Sequence, residues 1–395
     1  MLENFCADRR PVQLMRSLVL ATSRPAAALA VAAAAALALS ACSDSSSGSG
    51  IVVKASDTEC TPDSTALTAG VTTFNVQNKG SKGTELYILR PNGSTIGERE
   101  NIGPGTTVKL TVELPAGEYV VRCRPGDIGD GIKTPIKVTG ASKAVQADSR
   151  IDAAVTGYRT YVAAQAADSL KLAKDLQAAI KAGDLAKSKT IYGQSRVGWE
   201  SVEPVAEAFG DLDPEMDLRE ADLEDGQKWT GWHVIEKGLW VKKSTDGLNP
   251  IADKLVANLE DLGSRVPKAD INGTSMANGA KELLDEVATG KITGEEETFS
   301  HLDLIDFQAN VSGAKKVFEL LKPVVAQSQP DLDQQLETTF AALQKELDAV
   351  RTGPGVTDFP TYDTVDKADR DKLSAAVDAL AEPLSHLAAA VVTTA

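Results

Sequence analysis

Histidine limits the chemistry open to this chain, because only His233, His301 and His386 are present. The most informative of them lies in Trp229-Thr230-Gly231-Trp232-His233-Val234-Ile235-Glu236, followed by Lys237-Gly238-Leu239-Trp240. On a helix, Trp229, His233, Glu236 and Trp240 form one stripe, and the i, i+3 spacing lets imidazole and carboxylate reach a common ion. The bland alternative is a single His–Glu hydrogen bond in a core. A second acidic pair, Glu200 and Glu203, again three apart, runs beside the apolar positions Trp199, Val202, Ala206 and Phe209. Its ordinary reading is a solvated face on which Arg196 pairs with Glu200. Asp217 lies early in an expected short helix, where a carboxylate is favourable in its own right. In Thr293-Gly294-Glu295-Glu296-Glu297-Thr298-Phe299-Ser300-His301, the Thr293/Glu296 spacing fits a capping box, and Glu297 and His301 share a helix face.

One imidazole with several carboxylates is a hard, oxygen-rich donor set, suited to iron or manganese rather than copper(I). A blue-copper centre is excluded, since it needs two imidazoles beside a cysteine and the β-rich half holds no histidine. A zincin would need a second histidine in the His233 motif, which instead continues Glu236-Lys237. The formal net charge of −15 leaves no clustered Lys/Arg for phosphate, so nucleic acid is excluded as a partner. An adhesion or polysaccharide-binding module is a further alternative, disfavoured by an aromatic content of 5%.

Two textures of sequence must position these residues. Segments 71–76, 85–89, 107–112 and 118–123 are short, β-branched and separated by turn residues such as Asn92-Gly93 and Gly103-Pro104-Gly105. They predict a sandwich over residues 51–140. From Ala144 the chain turns to Ala/Leu/Lys/Glu segments with helical periodicity, predicting helices over 144–182, 184–209, 221–241, 249–264, 276–289, 294–327, 331–352 and 365–392. Asp213-Pro214 reads as an N-cap followed by proline at the first helical position. A bundle over 144–395 would build its site from facing helices.

At the N-terminus, Arg16 and Arg24 precede an apolar run from Ala26 to Leu39, too short to span a bilayer but right for a signal-peptide core. Leu39-Ser40-Ala41-Cys42 has the form of a lipobox. Residues 1–41 are therefore expected to be a signal peptide, with Met15 a candidate start, Cys42 the lipidated residue and 42–50 a Ser/Gly tether. That leaves Cys60 and Cys123 for the folded part, as a disulfide or as a metal site with Glu85, Glu98 or Asp130.

Taken together, the His233-x-x-Glu236 run, Glu200-x-x-Glu203-Pro204, Ser300 to Asn310, Asn101-Ile102-Gly103-Pro104-Gly105 and Cys123-Arg124-Pro125-Gly126 resemble the imelysin-like proteins of the EfeO type. The resemblance implies a multi-domain chain, with an N-terminal all-β cupredoxin-like sandwich followed by an all-α imelysin-like helical bundle. It implies metal ligation by His233, Glu236, Glu200, Glu203 and Asp217, with Glu297 a further contributor, and a β-domain that binds copper or iron through cysteine and acids. Leu302 replaces a usual threonine beside His301 and weakens any role for that histidine. The implied function is capture of Fe2+ or Fe3+ outside the cytoplasm and delivery to a membrane iron permease, with a haem peroxidase as partner. Imelysin relatives have also been classed as metallopeptidases.

Overall fold

In the computed structural model, the described residues are 50–140, 148–223 and 226–392. The expected signal peptide, the expected Cys42 lipidation site and most of the expected tether lie outside them.

Among the described residues the β half holds nine strands in two sheets. One is ordered β2 (Cys60–Pro62), β1 (Ile51–Ala55), β4 (Gly70–Asn78) and β7 (Thr107–Leu114). The other is ordered β3 (Ala66–Thr68), β9 (Ile132–Thr139), β8 (Gly117–Pro125), β5 (Thr84–Leu89) and β6 (Thr95–Ile102). Phe74, Val76, Leu86, Ile88, Leu110, Val112 and Val121 point between the sheets and are buried, as period-two alternation requires. The two cysteines form a disulfide, Cys60–Cys123, with Cα atoms 5.6 Å apart, and it ties β2 of one sheet to β8 of the other. Among the described residues this leaves no thiolate for a metal, so the cysteine-ligated alternative is replaced by a cross-link. Of the acids paired with it in that reading, Glu85 instead binds Arg124 Nη1 at 2.8 Å and Tyr87 Oη at 2.8 Å.

The helical half contains α1 (Ser149–Lys181), α2 (Leu185–Glu200), α3 (Leu212–Asp217), α4 (Trp232–Trp240), α5 (Asn249–Arg265), α6 (Gly273–Thr289), α7 (Asp303–Ser328), α8 (Pro330–Ala349), α9 (Lys367–Leu384) and α10 (Leu387–Val392). Helix α1 packs along α2, α5 and α7, while α6 packs on α7 and α9. The two longest helices, α1 and α7, carry buried residues at helical spacing (Tyr158, Val162, Ala166; Phe307, Val311, Ala314) and form the spine of one apolar core.

Four helix expectations need correction. The helix expected over 221–241 exists only from Trp232, and Trp229 lies outside it. Gly231 takes φ +90°, and a Cβ there would stand 2.0 Å from Met216 O, so α4 starts where the backbone presses on the end of α3. The helix expected from 294 starts at Asp303, and residues 294–302 form a turn-rich loop. The helix expected over 184–209 breaks after Glu200, and Glu203–Phe209 is a 3-10 segment with Pro204 in its first turn. Lastly, α3 begins one residue before Asp213, so Pro214 is its third residue and Asp217 its last.

The sheets meet the helices along β6, β7 and α6. Asn278 Nδ2 donates to Thr111 O at 2.7 Å, and Arg99 Nη1 pairs with Glu282 with both side chains buried. Arg99 Nε also donates to Lys109 O at 3.2 Å. Removing one partner of such a pair strands a buried charge, at a cost of about 3–5 kcal/mol, whereas replacing both avoids that penalty. Arg99→Met should therefore lower the stability measured by chemical denaturation by that amount, and Arg99→Met/Glu282→Met should recover most of it. Equal stability of wild type and single variant would show that the pair does not hold the layers together.

Candidate metal centre

The centre is assembled by α2, α3, α4, the 203–209 segment, the 291–302 loop and the start of α7. At its middle sits the Arg196 guanidinium, fully buried. Its Nε lies 2.9 Å from both Asp306 Oδ2 and Glu297 Oε1, its Nη2 lies 3.2 Å from Glu296 Oε1, and its Nη groups also bind Asp217 and Glu200. The i, i+4 pairing of Arg196 and Glu200 is present, but as a buried contact, which overturns the solvated-face reading. Lys291 supplies a second buried cation, with Nζ 2.7 Å from Glu200 Oε2 and 3.1 Å from Glu203 Oε2. Asn310 Nδ2 donates to the same two carboxylates at 2.9 and 2.6 Å. Burial works against both cations, but the surrounding carboxylates win and hold Arg196 and Lys291 protonated well above their usual range.

His233 is the pivot. Its Nδ1 is 3.0 Å from Glu236 Oε2, and the other oxygen of Glu236 accepts the backbone N–H groups of Phe299 at 2.8 Å and Ser300 at 2.7 Å. Glu236 therefore grips the loop with one oxygen and fixes the ring with the other. The opposite nitrogen, Nε2, is buried without a hydrogen-bond partner, 3.3 Å from Asp217 Oδ1 and 3.7 Å from Glu296 Oε1. Trp199 Nε1 holds the far oxygen of Asp217 at 2.7 Å. Glu297 Oε1 accepts from Tyr192 Oη at 2.9 Å, and its Oε2 binds Ser300 Oγ.

Among the described residues, three donor groups lie close enough to share an ion: Asp217–His233–Glu296, His233–Glu236–Glu297 and Glu200–Glu203–Asp217. All six residues expected as ligands are thus brought together. Glu296 was missed, because its spacing from Thr293 imitates a capping box. In the structure Thr293 Oγ1 donates back to Gly290 O at 2.6 Å, and Glu296 turns inward. His301, expected to share a face with Glu297, has φ 58° and joins none of these groups. Two cavities reach the centre from outside. One, of about 250 Å³, is lined by His233, Glu236, Glu296 and Arg219. The other, of about 340 Å³, is lined by Asp217, Glu203, Glu296 and Lys291.

The sequence profile of the Imelysin family matches residues 154–387, and that of the Cupredoxin-like domain matches residues 29–128. Relatives named "Iron uptake system component EfeO", from Escherichia coli strain K12, Escherichia coli O157:H7 and Shigella flexneri, are each 37% identical over 342 residues, covering 85% of this chain and 90% of theirs. The chain belongs to the imelysin family, in its EfeO branch. The all-β cupredoxin-like sandwich followed by an imelysin-like bundle is thus the fold on both sequence and structural grounds. In this member of the family, the His-x-x-Glu pair is split in role by the geometry, with one imidazole nitrogen tied to Glu236 and the other left facing two carboxylates.

The protonation pattern follows from burial and charge. Burial and Arg196 oppose a proton on His233, but the nearby carboxylates of Asp217, Glu236 and Glu296 win and raise its pKa well above the usual imidazole value. Burial, reinforced by neighbouring carboxylates, raises Glu203 and Glu297. Burial also opposes ionisation of Glu296, yet Lys291 and His233 pull its pKa down to about 2. An ion entering at His233 must displace a proton there, so affinity should climb as pH rises from about 5 to about 8, with protons released on binding. Titrations in buffers of different ionisation enthalpy measure that release, and an affinity flat across this range would rule out the competition. Gly231→Ala should drive α3 and α4 apart, costing roughly 1–3 kcal/mol in strain alone. A thermal melt and an iron titration of that variant should both show the loss.

Proposed function

We propose that this chain is an extracytoplasmic iron-binding lipoprotein, anchored through Cys42, that captures Fe2+ or Fe3+ and passes it to a membrane iron permease of the Efe type, with a haem peroxidase in the same system. The observation that carries the binding step is the buried His233 Nε2, which makes no hydrogen bond and faces Asp217 and Glu296 at 3.3 and 3.7 Å. A metal-binding histidine ordinarily has its other ring nitrogen tied to a carboxylate, which sets the tautomer and orientation. Glu236 stands in that place. His233 Nε2, Asp217 and Glu296 are accordingly the primary ligands in this reading. Glu297, Glu200 and Glu203 complete the acidic surround, and Glu236 positions the ring.

A carrier must release what it binds, and the buried charges favour this. Seven carboxylates (Glu200, Glu203, Asp217, Glu236, Glu296, Glu297, Asp306) surround two buried cations, Arg196 and Lys291. The excess negative charge attracts a di- or trivalent ion, while the internal cations and the His233 proton keep the empty centre from flying apart. The imelysin-type metallopeptidase reading lacks a second imidazole, since His301 and His386 stand outside the described donor groups.

Anaerobic Fe2+ titration of the full chain tests the assignment. His233→Ala should remove the tight site, and Glu236→Gln should weaken it by roughly 10–100-fold, the range expected for a group acting through a ligand. Iron binding by His233→Ala at wild-type strength would sink the proposal.

A further inference from the structure

A separate cavity of about 150 Å³ lies where β6 meets the 203–209 segment and α6. A single water needs roughly 10–15 Å³ of such space, so several fit. Glu98 and Glu100 reach it from the sheet, and Glu207, Asp213 and Glu286 reach it from the helical half, with Glu203 on the border. No lysine or arginine lines it. The two other acids on its wall, Glu282 and Asp270, are already paired with Arg99 and Arg90. Glu100, Glu207, Asp213 and Glu286 make no side-chain ion pair among the described residues. Glu98 Oε2 is sealed from solvent and has no hydrogen-bond partner, a costly state for a carboxylate oxygen unless something else meets it.

These acids line the walls and do not converge as the His233 groups do. That spacing suits an ion that keeps its water shell and is held through those waters, as hard divalent cations commonly are. The cavity also shares Glu100, Glu203, Asp213 and Glu286 with the neighbouring one that reaches Asp217 and Glu296. We propose that the acidic cavity between β6 and α6 is a second cation site, holding a hydrated divalent ion on the path to His233. Burial and mutual repulsion accord with it: Glu98, Asp213 and Glu286 are all raised, and Glu100 is pushed up to about 8. An acidic passage with low-dielectric walls concentrates cations ahead of the inner centre.

Mn2+ titration of the full chain, followed by water-proton relaxation, tests the site, because bound Mn2+ that retains waters enhances the relaxation. The His233→Ala variant should keep an enhanced component, and adding Glu98→Gln/Glu286→Gln should abolish it. A charge-matched exposed pair, Asp175→Asn/Asp378→Asn, should leave it intact. Identical titrations for the cavity pair and the exposed pair would overturn the proposal. Wild-type crystals soaked in Mn2+ should show an anomalous peak between Glu98 and Glu286, and an empty cavity at saturating Mn2+ would overturn it without any variant. Unaltered iron binding in His233→Ala would count against the inner centre alone and leave this site standing.

Discussion

The burial of Arg196 is the constraint around which the helical half is arranged. A guanidinium taken fully out of water needs several acceptors, and it finds them on four separate stretches: Glu200 on its own helix, Asp217 at the end of α3, Glu296 and Glu297 on the loop, and Asp306 on α7. The arginine shares those carboxylates with other partners, such as Lys291 at Glu200 and Trp199 at Asp217. The stretches that bring them are consequently locked into one register, and His233 is delivered into the gap they leave. Arg196 also lies 5.6 Å from the centre of the Trp232 ring, which sits one residue before the histidine, so the same cation steadies α4.

The loop from 294 to 302 illustrates how a non-helical segment can be as well defined as a helix. Its backbone is satisfied by Glu236 Oε1 at Phe299 and Ser300, and by Asp303 Oδ1 at Glu297, 3.0 Å away. His301 O in turn accepts the Tyr362 N–H at 2.8 Å. Side-chain acceptors here do the work that helical carbonyls would otherwise perform, which frees Glu296 and Glu297 to face inward.

Much of this was legible in the sequence, for identifiable reasons. Alternation in strands and 3.6-residue periodicity in helices are strong local signals, so the change of texture near Ala144 located the two halves. The acid and imidazole spacings at 200–203 and 233–236 survive because α2 carries its glutamate to its last residue and α4 spans its pair. What was hidden depends on distant groups. Nothing near Arg196 signals that acids from three other elements will close over it. Glu296 was masked by a spacing that mimics a cap, and the segment 221–231 looked helical although Gly231 needs a left-handed backbone to pass Met216. The disulfide could be listed as an option, but only the sheet order places Cys60 opposite Cys123.

The seam between sheets and helices is held by side-chain amide, guanidinium and carboxylate groups more than by a continuous apolar patch, as Asn278, Arg99 and Glu282 illustrate. Groups of that kind rehydrate readily once parted. A bundle with this α6 could shed its sandwich in evolution and expose no greasy scar, and a sandwich could be grafted onto another bundle just as cleanly. Modular gain and loss of the β half is thus written into the polarity of one helix face.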